Sequence, residues 1–482
     1  MVKDGDGVVN KLWDPETFSE CVLERPLRAY QAEPLRSIVN SVVKGLGLTF
    51  TVMFARQMGK NELSAHLEAY LLSLYSGQGG NIVKAAPTFK PQVISSKERL
   101  EYTLSKPIFA GMRTGSWGYI TRVKRARCIF YSGEREANVV GETASLLLEV
   151  DEAQDFDQEK YQRDFRPMAS AHNATTVLYG TAWSEDDLLA RTKATNLELE
   201  ARDGIRRHYQ YPWTVLAEIS PQYKAFVEGE RALLGPDHPL FLTQYELVPL
   251  PGAGRLFAPA LLAQLQGEHA RRHVPVGDRF IIAGLDLAGE GEHADRSVLT
   301  LAEVEQAEVG GIPQGVARIV EHVAWRGVDL AALQLQLVDL LGRVWHVRRI
   351  AVDATGLGLP VASFLISALG EVVDEVVFSQ VVKSRLGYGL LAAVGTGRLR
   401  MYASTASTGS ADEPAEFWRE AKLCRREVLP GQLLRWAVPA EEGHDDYVTS
   451  LALVAFALDS VTAPAAGDYV PAPDILKWGW PL

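Results

Sequence analysis

The chain is poor in cysteine, has no long apolar run and carries no excess of positive charge. Cys21, Cys128 and Cys424 are odd in number, far apart and without metal-ligand spacing. That spacing argues against a disulfide framework and against a structural zinc, and fits free thiols in a reducing compartment. No stretch approaches the roughly 18 to 20 apolar residues of a membrane span. The start, Met-Val-Lys-Asp-Gly-Asp-Gly, offers no apolar signal segment, so a soluble intracellular protein is expected. A formal net charge of -11 excludes a surface coated with basic residues and leaves any nucleic-acid contact to local patches. Internal repeats are absent as well.

What remains is ordinary globular material. With 482 residues, 47% hydrophobic and 23% charged, the chain exceeds one hydrophobic core and two or three domains are expected. Residues 48–54 read as a buried strand that runs into a polar, Gly-containing loop. In the helix expected over 61–76, Leu63, Leu67, Leu71 and Leu74 share one face. Further buried strands at 81–86, 145–150 and 175–179, separated by helical segments, predict a parallel sheet. Residues 116–132 read as a hairpin carrying Arg122, Lys124, Arg125 and Arg127. It is either a charged edge ribbon that blocks aggregation or a DNA contact. Aromatic-rich residues 191–255 predict a small helical subdomain, closed by the linker Pro249-Leu-Pro-Gly-Ala-Gly254.

Beyond the linker the order changes. Strands at 279–286, 297–304 and 317–325 follow one another with connections short enough for antiparallel pairing. A helix at 329–344, a strand at 349–353, a helix from 359, a strand near 373–378 and a helix at 445–458 follow, which is the ribonuclease H order. The tail from Pro464 reads as an irregular arm. The expected boundaries are 1–190, 191–255, 256–463 and 464–482.

Two acidic constellations carry the chemistry. In the first, Ala55-Arg-Gln-Met-Gly-Lys60-Asn61 joins a strand to a helix. Backbone N–H groups of Arg56, Gln57, Met58 and Gly59 and the helix N-terminus suit a phosphate there, with Lys60 reaching its β and γ groups. The pattern departs from G-x-x-x-x-G-K-[ST], with Phe54 at the first glycine and Asn61 at the magnesium-binding hydroxyl. Downstream, an apolar strand ends at Asp151-Glu152. Asp151 can hold Mg²⁺ through water, and Glu152 can deprotonate the water that attacks ATP. Arg56 is either a transition-state cation or a solvated loop charge. Gln31 can read an adenine edge, and Thr181 is either a γ-phosphate sensor or a polar strand end.

In the second constellation, Asp286 and Asp353 sit in apolar strands and Asp445-Asp446 opens a helix. Carboxylates brought together in apolar surroundings suit two Mg²⁺ or Mn²⁺ ions, one activating water and one steadying a leaving 3′-oxygen. Acids at a helix start are also dipole partners, Asp353 also suits a cap, and spacing leaves Asp445 and Asp446 equivalent. Asp295 and His444 are lesser candidates.

Taken together, Leu27-Arg-Ala-Tyr-Gln31, the 55–61 loop, Ala86-Pro-Thr88, Leu147-Leu-Glu-Val-Asp-Glu-Ala-Gln154, Tyr179-Gly-Thr-Ala182, Gly284-Leu-Asp286, Val352-Asp-Ala-Thr-Gly-Leu-Gly358 and His444-Asp-Asp446 resemble the large terminase subunit of tailed bacteriophages over about residues 25–460. The resemblance implies an α/β chain: an N-terminal P-loop ATPase of the additional-strand, catalytic-glutamate class with a parallel sheet and small helical subdomain, then a ribonuclease H-like mixed-sheet nuclease. It implies ATP-driven packaging of double-stranded DNA through a portal protein into a procapsid, with cutting of concatemers. It also implies a small terminase subunit as partner, a ring on the portal, no membrane, and residence in the host cytoplasm during assembly but not in the mature virion. By motif, Lys60 and its loop bind phosphate, Arg56 is the loop arginine, Gln31 touches adenine and Thr181 couples hydrolysis to movement. Asp151 then holds Mg²⁺, Glu152 is the base, and Asp286, Asp353 and one or both of Asp445 and Asp446 hold the cutting metals. A helicase or repair translocase with a fused nuclease is the competing enzyme class and predicts a second RecA-like domain. A catalytically silent docking subunit would lack these acids.

Overall fold

The computed structural model describes residues 14–137, 139, 141–277, 279–288, 296–309, 312–403 and 413–462. Its chain divides into two compact units. The first takes residues 1–229, 239–252 and 428–432, and the second takes 230–238, 253–427 and 433–482. Among the described residues, no helix is long and apolar enough to cross a membrane.

The first unit is built on an eight-stranded sheet of order β3-β4-β5-β2-β6-β7-β1-β8. Its strands are β1 (Thr49–Phe54), β2 (Gly80–Ala86), β3 (Arg113–Trp117), β4 (Ile120–Val123), β5 (Ala126–Ser132), β6 (Leu147–Val150), β7 (Thr175–Gly180) and β8 (His208–Tyr211). From β5 through β2, β6, β7 and β1 to β8 the pairing is parallel, while β3, β4 and β5 pair antiparallel. Strands covered on both faces must be apolar throughout, and β1, β6 and β7 are buried along almost their whole length. The 116–132 hairpin is the β3-β4-β5 edge of this sheet, and the aromatic segment after 190 returns as β8 beside β1.

Helix α1 (Ala29–Val43) and helix α2 (Lys60–Leu74) flank the phosphate-loop strand. The leucine spacing of α2 predicts a single buried face, yet every residue from Leu63 to Leu72 is buried. A helix enclosed on all sides must pair its polar groups internally. His66 Nε2 accordingly lies 3.1 Å from Glu62, and Glu68 takes the Lys84 ammonium at 2.8 Å.

The second unit holds β9 (Ala253–Arg255), β10 (Phe280–Asp286), β11 (Arg296–Val309), β12 (Ile312–Arg326), β13 (Arg349–Asp353), β14 (Val373–Val376), β15 (Leu399–Arg400), β16 (Arg425–Leu429, whose last two residues belong to the first unit) and β17 (Leu433–Ala437). The main sheet runs β14-β13-β10-β11-β12-β15. The β10-β11-β12 strands are antiparallel and β13 and β14 run parallel to β10, the order that the sequence predicts. Helices α3 (Leu330–Val338) and α4 (Gly358–Leu369) bury Leu333, Leu337, Val361 and Leu365 in the core on one side. The core on the other side takes in α5 (Gln380–Gly395), α6 (Glu413–Leu423) and α7 (Asp446–Thr462), whose Leu451, Leu453, Val454 and Leu458 are fully buried.

Gly284 shows why this layer can form. A Cβ at this position would stand 2.7 Å from Val454 N and 2.9 Å from Leu453 Cβ, so only glycine lets α7 lie this close to β10.

Candidate active sites

The phosphate loop is fixed from several directions. Gly59 takes φ +85°, a conformation that favours glycine, and α2 begins at the next residue, Lys60. Tyr30 Oη donates to Met58 O at 2.9 Å, Tyr223 Oη donates to Arg56 O at 2.8 Å, and Gln31 Nε2 donates to Gly59 O at 3.1 Å. Gln31 Oε1 accepts from Arg28 N at 3.0 Å, so both ends of the amide expected at an adenine hold backbone instead. Arg56 donates to Gln244 Oε1 at 2.6 Å.

Strand β6 delivers Asp151 and Glu152 beside this loop. Lys60 Nζ lies 3.3 Å from Glu152 Oε2. Burial pushes the Glu152 carboxyl up, but Lys60, the Gln154 amide and Arg56 outweigh it and hold it below the usual range. Glu152 also adopts φ +45°, a left-handed conformation uncommon for a non-glycine residue and often seen where function constrains the backbone. Asp151 accepts from Glu152 N at 3.1 Å and Ser96 Oγ at 3.3 Å, while burial moves its carboxyl up. Deeper in the sheet, Lys84 reaches Glu68 at 2.8 Å and Ser64 Oγ at 2.7 Å, and Ser64 donates to Glu149 at 2.8 Å. This fully enclosed charge cluster lies two residues before Asp151, since Lys84 is registered with Glu149.

Gln154 closes the Leu147–Gln154 motif, which by itself gives it no role. Its Nε2 donates to Glu152 Oε2 at 2.8 Å and to Asp155 Oδ2 at 3.2 Å, and its Oε1 accepts from Thr181 N at 3.3 Å. It therefore joins the candidate base to the end of β7. The approach is close enough that any side chain at Gly180 would collide with the Gln154 amide. A second connection arrives from the 428–432 segment. Gln432 Oε1 accepts from Gln244 Nε2 at 2.8 Å, and Gln432 Nε2 donates to Asp155 Oδ2 at 3.4 Å. Burial pushes the Asp155 carboxyl up to about 6, with Glu152 adding to the shift.

In the second unit, β10 and β13 are registered through Leu285 and Val352, which puts Asp286 and Asp353 side by side at the next step. Asp353 Oδ1 accepts from Thr355 N at 2.8 Å, so it also caps the following turn. The start of α7 brings Asp446 to the same place, buried, with Oδ2 accepting from Arg296 N at 3.0 Å. Burial raises the Asp286 carboxyl well above its ordinary value, and repulsion from Asp446, Asp353 and Asp445 adds to this in that order. The two helix-start acids are placed differently: Asp446 is buried and exerts the larger repulsion on Asp286, and Asp445 lies 3.2 Å from Lys383. His444 is exposed, and Asp295 lies outside the described residues.

Glu420 also escaped the motif reading. Its Oε2 accepts from Tyr447 N at 2.8 Å and Val448 N at 3.3 Å, fixing the first turn of α7. Burial and the nearby Asp446 push its carboxyl up to about 9. No motif marks it, because an isolated glutamate inside a helix carries no pattern. Among the described residues no three His, Cys, Asp or Glu side chains stand at metal-ligand separations. The donor set nevertheless suits a hard divalent cation, being all carboxylate oxygen. The mutual repulsion at Asp286 is the kind that such an ion relieves.

Several arginines, Arg127 of the 116–132 hairpin among them, are engaged within their own units. Arg127 pairs with Glu142, Arg206 with Glu33, Arg207 with Asp203, Arg271 with Glu321 and Glu413, and Arg272 with Glu303.

No family model matches the chain, and no curated protein matches it by sequence. Among solved structures it is similar to the large terminase from the thermophilic bacteriophage D6E. In one crystal form the two share 12% identity over 91% of this chain and 99% of that one, with a TM-score of 0.51. A second D6E structure, a complex with ADP, gives 11% identity, 90% and 99% coverage and a TM-score of 0.50. The large terminase of bacteriophage HK97 is 14% identical over 92% and 98%, with a TM-score of 0.40. The chain has the fold of the bacteriophage large terminases.

Proposed function

We propose that this protein is the motor and cutter of a viral genome-packaging machine. ATP hydrolysis in the first unit drives double-stranded DNA through a portal into a procapsid, and a metal-dependent nuclease in the second unit cuts concatemeric DNA to begin and end packaging. The observation that carries this reading is the pair of unlike centres in one chain of large-terminase fold: Lys60 with Asp151 and Glu152, and Asp286 with Asp353 and Asp446. The D6E neighbour in complex with ADP supports nucleotide binding by the same fold. The second sheet is mixed, with an antiparallel core, which disfavours a helicase with two RecA-like domains.

In the ATP cycle, polyphosphate arriving at the N-terminus of α2 competes for the ammonium that holds Glu152 at 3.3 Å. Lys60 turns to the β- and γ-phosphates, and the released Glu152 carboxylate takes a proton from the attacking water. Arg56 faces the developing charge, and Gln154 passes the displacement of Glu152 to the backbone of Thr181. Asp151, with Asn61 beside the loop, would hold Mg²⁺, which when bound offsets phosphate charge. An adenine contact by Gln31 requires it to leave Gly59 O.

In the second unit, Asp286, Asp353 and Asp446, with Asp445 at the rim, would hold two Mg²⁺ or Mn²⁺ ions that supply Lewis-acid activation of water and of the leaving 3′-oxygen. Glu420 keeps Asp446 in place by fixing the helix start. Portal protein, small terminase subunit and a ring assembly on the portal are the partners that this function requires, in the host cytoplasm during assembly. The test is packaging with matched procapsids. DNA protected from nuclease inside capsids, dependent on ATP and on Glu152, is expected, whereas ATP turnover without protected DNA would remove the packaging assignment.

A further inference from the structure

Lys383 is the cation that the second unit brings to its carboxylate centre, and no motif accounts for it. It sits in the first turn of α5, whose N-terminus is capped by Ser379 Oγ accepting from Val382 N at 3.2 Å. Its carbonyl is held, since Trp436 Nε1 donates to Lys383 O at 2.7 Å, and at the next residue Leu434 N donates to Ser384 Oγ at 2.9 Å. The ammonium lies 4.8 Å from the centroid of the Trp436 ring. Trp436 can lie this close only because position 387 is glycine, where a Cβ would meet the indole at 2.6 Å.

From there Nζ reaches to 3.2 Å from Asp445 Oδ2, with about a third of the side chain still open to solvent. The same charge favours the ionised forms of Asp286 and Asp353. A partly exposed ion pair with Asp445 alone adds at most about 1 kcal/mol, so Asp445 holds the ammonium only weakly. A lysine is a compact charge on a flexible stem, so a fixed Cα and a partly exposed ammonium make a group that can exchange one anion for another.

We infer that Lys383 contacts a non-bridging oxygen of the DNA phosphodiester being cut, leaving Asp445 to do so. This rests on the nuclease reading above. In the hydrolysis, a water oxygen bonds to phosphorus as the P–O3′ bond breaks. The bonding pair stays on O3′, which takes up a proton, and a 5′-phosphate and a 3′-hydroxyl result. Negative charge on the non-bridging oxygens grows on the way to the transition state, and there a fixed cation contributes most.

The experiment is single-turnover cutting of plasmid DNA in Mn²⁺ by the full chain and by Lys383→Met, Lys383→Arg and Asp286→Ala. Lys383→Met is expected to lower the rate at saturating DNA and Mn²⁺ by about tenfold or more. It should also reduce the slope of log half-saturating DNA against log salt by about one, the share of one phosphate contact. Half-saturating Mn²⁺ should stay unchanged, and Lys383→Arg should recover the slope and part of the rate. A parent-like slope with a loss that extra Mn²⁺ restores would make Lys383 only a counter-charge for Asp445 and overturn the inference. A cutting activity that survives Asp286→Ala would instead remove the nuclease reading on which it rests.

Discussion

Replacing Gly284 with alanine separates a packing cost from a catalytic one. The added Cβ would meet Val454 N at 2.7 Å and Leu453 Cβ at 2.9 Å, with Ser450 O nearer still. Opening even the 2.7 Å approach to an ordinary contact of 3.4 Å moves β10 and α7 apart by about 0.7 Å, and clearing Ser450 O requires more. Overpacking of this kind costs about 1–3 kcal/mol, and relief of a strand glycine returns about 0.5–1 kcal/mol. The net loss of stability is therefore modest, a few degrees in Tm for a unit of this size. Catalysis is less tolerant. Asp446 lies one helical turn before Ser450 and moves with it, while Asp286 lies two residues beyond Gly284 on the other side of the opened gap. Metal ligation tolerates about 0.2 Å, and misplacement near 1 Å costs about a hundredfold in rate. Plasmid cutting in Mn²⁺ should fall by about that factor while ATP turnover and most of the melting temperature persist. Cutting at the parent rate by a stably folded Gly284→Ala protein would refute the close-packing argument.

Other outcomes follow from single contacts. Gln154→Ala removes one of the two donors to Glu152 Oε2 and the acceptor of Thr181 N at once, so DNA-stimulated ATP turnover should drop by about tenfold or more with little change in ATP affinity; unchanged turnover would remove Gln154 from the site. Glu420→Leu leaves Tyr447 N and Val448 N without their acceptor and should destabilise the second unit by about 1–3 kcal/mol, read by denaturant unfolding. His322 is buried, 3.1 Å from the Tyr402 hydroxyl, and burial lowers its pKa to about 3. The unfolded chain then binds more protons between about pH 6.5 and pH 3, so this histidine's contribution is present above pH 6.5 and is lost as the pH falls toward 3. Unfolding free energy should decline more steeply over that window in the parent than in His322→Gln, and parallel declines would contradict the assignment.

Much of the fold was legible because it rests on local pattern. The apolar run before Asp151 and the strand, loop and helix around Lys60 predict elements that need no distant partner to be recognised. The succession of strands from 279 likewise predicts the β10-β11-β12 order through short connections. The rest depends on contacts across long stretches of sequence. Lys84 reads as one polar residue in an apolar strand, and only α2, enclosed on all sides, shows that Glu68 and Ser64 await it. Gln432 reaches Asp155 across 277 positions, and Lys383 reaches Asp445 across 62. The basic segment 122–127 was legible as charge but the Arg127 pair was not, because its partner Glu142 carries no signal of its own. Asp445 and Asp446 are equivalent as neighbours in sequence, and the start of α7 alone turns one inward.

The central claim is that one chain carries two separate hydrolytic centres. Glu152→Gln and Asp286→Ala, assayed side by side for DNA-stimulated ATP turnover and for plasmid cutting in Mn²⁺, test it most directly. Glu152→Gln should abolish ATP turnover and keep metal-dependent cutting, and Asp286→Ala should do the reverse. ATP turnover that survives Glu152→Gln, or cutting at the parent rate by Asp286→Ala, would contradict the account.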